Sequence, residues 1–145
     1  MMTDLLTEFL SHYGLREIDG KNSNPEIVAM AEELGFDMDD DSTLAWCSLA
    51  MNYYAKKCGY EYTKSLAARS WLNPPTKIMV LKPTMGDIVV LWRGSPTDWR
   101  GHVGLFINWD NRYVWVLGGN TNNSISIAAY PRDRILGFRQ LKKRQ

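Results

Sequence analysis

Cysteine and histidine are the side chains from which a protein most readily assembles a nucleophile and a base near neutral pH. This sequence carries two of each: Cys47, Cys58, His12 and His102. A thiol attacks as thiolate, and the free N–H groups and dipole at a helix N-terminus favour that anion. Cys47 falls in the first turns of a predicted helix, whereas Cys58 falls at its C-terminal end, where the polarity is reversed. The placement selects Cys47, against the competing reading of a small buried hydrophobe beside Trp46. The thiols stand eleven residues apart on one helix, about 16 Å at ~1.5 Å per residue. A disulfide spans roughly 7 Å at most, so both are expected to be free.

His102 opens a predicted strand, after Trp99-Arg100-Gly101 and before Val103-Gly104-Leu105-Phe106-Ile107. From a strand edge an imidazole can reach a facing helix and act as general base. His12, near the end of an amphipathic helix, suits a solvated or dipole-facing role. Register supplies a third group. If Asp110-Asn111-Arg112 is a hairpin loop, Trp109 faces Tyr113, Ile107 faces Trp115, Gly104 faces Gly118 and His102 faces Asn120. Asn120 would then orient the imidazole as in a Cys-His-Asn set, unless Gly118-Gly119-Asn120 is only a turn after a strand. Gly104 and Gly118, on the face of His102, would leave the sheet bare where a helix or substrate backbone comes close.

The elements that must position these groups can be read from periodicity and caps. Leu5, Leu6, Phe9 and Leu10 make one helical stripe after Thr3 and Asp4, stopped by Gly14. Asn24-Pro25-Glu26 caps a second helix with Ile27, Met30, Ala31 and Leu34 on one face, closed by Gly35. The cysteine helix begins near Ser42 or Thr43, buries Trp46, Leu49, Ala50 and Tyr53, and ends at Gly59. A shorter helix is expected from about Thr63 to Trp71, before Asn73-Pro74-Pro75. After Pro83 come β-rich runs at 88–92, 102–108, 113–117, 124–128 and 135–140. Helices followed by an antiparallel sheet of about five strands give an α+β fold with the helices packed on the sheet, in a single domain over 1–145.

A formal net charge of +1 gives no general attraction to nucleic acid, and the basic run Lys142-Lys143-Arg144 reads as a solvated tail. No apolar run approaches the roughly 20 residues of a membrane-spanning helix, and Met1 to Tyr13 lacks the pattern of an export signal. A monomer made in the cytoplasm is expected. Asp37, Asp39, Asp40 and Asp41 lack the glycine and distal glutamate of a calcium loop and read as a solvated, helix-capping segment, so no metal is expected. Asp87 reads as the start of a strand. Trp46, Arg69, Trp92 and Trp99 are the substrate-contact candidates, with Trp71 and Arg93 nearby in sequence.

Trp46-Cys47-Ser48 opening a helix, Gly86-Asp87-Ile88-Val89-Val90 starting the sheet, and Gly101-His102-Val103-Gly104 on the next strand resemble the NlpC/P60 and CHAP superfamily of cysteine hydrolases. Asn24-Pro25, Ser65-Leu66-Ala67-Ala68-Arg69-Ser70-Trp71 and Leu117-Gly118-Gly119-Asn120 look like one subgroup from bacteria and their phages, and the resemblance runs from about Arg16 to Arg139. It implies a papain-like fold and cleavage of a peptidoglycan stem-peptide bond, or of the bond between muramic acid and L-alanine, with no cofactor. By motif, Cys47 is the nucleophile, His102 the base and Asn120 the third residue. Asp41 stands where a papain-type enzyme carries an oxyanion glutamine, which leaves the Cys47 backbone N–H as the expected donor. Without an export signal, such an enzyme would meet the wall after lysis or through a dedicated secretion partner, and a delivered toxin would be matched by an immunity protein. A wall-binding module without turnover, and a papain-like toxin acting on protein, are the rival readings.

Overall fold

The computed structural model describes residues 4–16, 24–36, 46–73, 78–121 and 124–143. Helix α1 (Asp4–Ser11) buries Leu5, Leu6 and Phe9, and Gly14 follows it at φ 91°. Helix α2 (Pro25–Leu34) begins as its sequence dictates: the Asn24 side chain accepts the N–H of Glu26 at 2.9 Å. It ends at Gly35, whose φ of 83° few other residues tolerate. Helix α3 (Cys47–Lys57) has Trp46 at its cap, so Cys47 is its first residue. The start expected at Ser42 or Thr43 and the acidic segment Asp37–Asp41 lie outside the described residues.

The helix expected from Thr63 does not form. Asn52, buried on α3, competes for that backbone: its Oδ1 accepts the N–H groups of Thr63 and Lys64 at 2.9 and 2.8 Å, and its Nδ2 donates to the Ser65 carbonyl at 3.0 Å. Lys64 is held at φ 57°, outside any right-handed helix. Only a 3₁₀ turn, Ala68–Leu72, remains of the expected element.

Among the described residues the sheet has six strands: β1 (Ile78–Val80), β2 (Ile88–Trp92), β3 (Gly101–Trp109), β4 (Tyr113–Thr121), β5 (Ser124–Pro131) and β6 (Ile135–Gln140). Its order is β1-β6-β2-β3-β4-β5, and every neighbouring pair is antiparallel. The α+β arrangement of N-terminal helices and a C-terminal antiparallel sheet is therefore present, with the short β1 added to the five strands expected from sequence.

Strand alternation sorts the apolar residues onto two faces. On the near face Ile88, Val90, Val103, Leu105, Leu117 and Ile125 join the helices in one core. On the far face Val89, Leu91, Phe106, Val114, Val116 and Phe138 form a second core that, among the described residues, contains none from a helix. These strand side chains pack against one another, joined by Val80, Trp109, Tyr130 and Ile135. Among the described residues, no helix is long and apolar enough to cross a membrane.

Candidate active site

Cys47 is held by three layers of contact. Its helix lies close against β4 at Gly119, where a Cβ would come within 2.9 Å of the Trp46 ring and 3.0 Å of the Ala50 Cβ. A second anchor is the polar cluster beneath α3. Ser48 Oγ donates to the Ser65 carbonyl at 2.6 Å and accepts the indole N–H of Trp71 at 2.9 Å. Ser48, Asn52 and Trp71 are all fully buried, so these bonds satisfy groups that would otherwise be stranded in the core. They also bind the 3₁₀ turn to α3. That turn abuts the start of β3, because a Cβ on Gly101 would lie 3.3 Å from Arg69 Cγ and 3.5 Å from Ala68 Cβ.

His102 follows Gly101 and pairs with Leu91 across β2–β3. Leu91 belongs to the far core, and Tyr130, whose ring centre lies 5.2 Å from that of His102, packs against it. The imidazole therefore sits on the far face, with Tyr130 Oη 3.4 Å from its Nε2. Cys47 approaches the same strand from the near face. Alternate β3 amides point toward β2, as Phe106 N–H does to the Asp87 carbonyl, which leaves those of Leu105 and Val103 for the β4 side. The β3–β4 ladder ends at Leu105–Leu117, and the N–H of Val103 is directed at the Cys47 sulfur. The thiol thus meets the backbone of the residue next to His102, where the sheet opens.

The expected register needs one correction. Near the hairpin the pairs are Trp109–Val114 and Asn108–Trp115, one residue away from those predicted, because Asp110 N–H bonds to the Tyr113 carbonyl and closes a tighter turn. A bulge at Ile107 then restores the expected alignment at Phe106–Val116 and Leu105–Leu117. Gly104 and Gly118 do come together: a Cβ on Gly118 would sit 3.4 Å from Gly104 Cα and 3.3 Å from His102 Nε2. The close approach of the helix, however, falls at Gly119, while the space over Gly104 is taken by Val116. Asn120 is part of β4, but its side chain lies outside the described residues.

Burial changes the expected electrostatics. The N–H groups of Val103, Ser48 and Cys47 itself all favour a thiolate, yet desolvation outweighs them and raises the Cys47 pKa above its ordinary 9.0. Desolvation, aided by the positive charges of Arg93 and Arg134, lowers His102 to about 4. Cys47 is 1% exposed and His102 4%. In this state the two groups rest as neutral thiol and neutral imidazole rather than as the thiolate anticipated from the helix end. Both cysteines are free.

The candidate substrate contacts divide. Trp46 is wholly buried against Gly119 and belongs to the core, not to a cleft. Arg69 spends its guanidinium on the carbonyls of Arg100, Pro96 and Ser95, which makes it a clamp on the β2–β3 loop rather than a substrate ligand. Trp92 is half-buried, with its indole N–H on the Asp133 carbonyl. Trp99 is 80% exposed on the clamped loop, where Asp98 accepts both the backbone N–H and the guanidinium of Arg100. Tyr130 and Arg134 were not singled out by sequence reasoning. Continuing the two-residue alternation of β5 past Ala128 would have placed Tyr130 on the far face. A groove of about 270 Å³ lined by Leu5, Tyr60, Asp87 and Leu141 lies at the opposite end of β2 from His102.

Compared with protein-family models, with curated proteins and with solved structures, the chain finds no match.

Proposed function

We propose that this chain is a papain-like cysteine hydrolase that cleaves an amide in or next to the peptidoglycan stem peptide. The observation that carries the proposal is the seating of the Cys47 sulfur, at the first residue of α3, against the amide of the residue after His102. His102, kept neutral by its surroundings, is in the protonation state that a general base requires. The two groups lie on opposite faces of β3 at rest, so the reaction requires them to meet around the open start of that strand when substrate arrives; there the Cys47 proton passes to His102 and the sulfur attacks the amide carbonyl. His102 then protonates the departing amine, and water, deprotonated by His102, hydrolyses the thioester. The Cys47 backbone N–H serves the oxyanion. The motif resemblance to NlpC/P60 and CHAP enzymes supplies the substrate class.

The near-complete burial of Cys47 and His102 favours a second reading, a wall-binding module of the same fold without turnover. Purified peptidoglycan separates the two. The hydrolase releases soluble muropeptides, identifiable by mass spectrometry, and Cys47→Ala abolishes release while leaving the circular dichroism spectrum unchanged. Wild-type release by Cys47→Ala removes the assignment, and co-sedimentation without any fragments establishes the binding module. Cleavage of protein targets in place of muropeptides would point to a toxin.

A further inference from the structure

The described arginines differ in how their terminal nitrogens are used. Arg69 and Arg100 spend terminal nitrogens on loop carbonyls and a carboxylate, and Arg139 on the carbonyls of Phe138 and Leu72. Arg134 does not. Its Nε donates to the Trp92 carbonyl at 3.0 Å, and its guanidinium carbon lies 5.4 Å from the Trp92 ring and 5.8 Å from the Tyr130 ring. Trp92 is itself braced by its indole bond to the Asp133 carbonyl at 3.2 Å. Held at one nitrogen and flanked by two rings, the guanidinium keeps both terminal nitrogens without a hydrogen-bond or carboxylate partner among the described residues. Tyr130 in turn carries its hydroxyl to His102. Arg93, next to Trp92 and exposed, likewise has no carboxylate partner among the described residues.

We propose that Arg134, assisted by Arg93, binds a free carboxylate of the substrate beside the amide that Cys47 attacks. A guanidinium fixed through Nε presents its two remaining edges at little entropic cost, the arrangement that suits the planar, two-oxygen geometry of a carboxylate. Arg134 is linked to His102 through one side chain, Tyr130, whose ring it approaches and whose hydroxyl lies 3.4 Å from His102 Nε2, and the charges of both arginines act on His102. The acidic stem peptide is the matching chemistry, and this choice of substrate rests on the hydrolase reading above. The site itself requires only an anion of that shape.

Equilibrium binding to the Cys47→Ala protein tests the site without turnover. The probes are a muramoyl tetrapeptide in its free-acid form and the same compound with its carboxylates amidated. The acid is expected to bind at least about ten-fold more tightly. Arg134→Gln should erase that preference by weakening the acid alone, and Arg134→Lys should keep part of it. Equal binding of acid and amide by the unmodified arginine, no binding of either, or an unchanged preference in Arg134→Gln overturns the proposal. Wild-type cleavage, followed separately, distinguishes the two claims. Fragments formed from acid and amide at the same rate remove the carboxylate site and leave the hydrolase, whereas acid-selective binding without fragments leaves the site and removes the hydrolase.

Discussion

His102 and Cys47 make the folded state sensitive to pH on both sides of neutrality. An unfolded chain protonates His102 near its ordinary 6.5, but the folded chain does so only at about 4. Between those values the unfolded state binds more protons, so this contribution to stability is complete above pH 6.5 and is lost as pH falls toward 4. The loss amounts to roughly 3 kcal/mol at about 1.4 kcal/mol per pKa unit. For Cys47 the sign is opposite: its raised pKa stabilises the fold below the ordinary 9.0 and loses that effect as pH rises beyond it. Urea unfolding measured across pH should therefore show a plateau between these limits. An acid limb unchanged in a folded His102→Gln variant would show that another group is responsible. Alkylation supplies a second check. Cys58 is partly exposed whereas Cys47 is covered, so iodoacetamide at one pH should modify Cys58 first, read by peptide mass mapping.

Two adjacent glycines on β4 have separable duties. A Cβ on Gly119 meets the Trp46 ring and Ala50, so Gly119→Ala should push α3 off the sheet and cost about 1–3 kcal/mol in unfolding free energy. At Gly118 the Cβ would meet the Val103 carbonyl and His102 Nε2 at 3.1 and 3.3 Å. Gly118→Ala is accordingly expected to lower kcat/KM by more than its shift in Tm accounts for. The sequence made Gly118 conspicuous, together with the caps of α2, the five longer strands and the nearness of Gly104 to Gly118, but not the helix contact at Gly119. Those features depend on local chemistry: an Asn-Pro start, a glycine at positive φ, period-two alternation. What escaped it depends on partners distant in sequence. The segment after Thr63 has helical composition, but Asn52 takes its backbone N–H groups. The thiol has the helix terminus that favours its anion, but the surrounding core decides its protonation. Arg69 has the character of an anion ligand, and only the folded loop shows its donors to be occupied.

The last strand lies inside the sheet, between β1 and β2, and contributes Phe138 to the far core. Neither sheet face can be completed until β6 is in place. Truncation after Pro131 should abolish the cooperative unfolding transition altogether rather than trim an edge, as thermal denaturation followed by circular dichroism would reveal. The helical layer is coupled to this sheet through the buried Ser48–Asn52–Trp71 cluster, so Asn52→Ala, which strands the N–H groups of Thr63 and Lys64, should cost about 1–3 kcal/mol. Trp99 stands apart from all of this, an indole open to water on a loop that Arg69 keeps stiff, three residues before His102. Trp46 and Trp71, by contrast, are sealed from solvent. The chain consequently carries its own optical probe: Trp99 is the most open of its indoles, above the half-buried Trp92, Trp109 and Trp115, so the long-wavelength, iodide-quenchable part of the fluorescence reports first on the loop that leads into His102, without an attached dye.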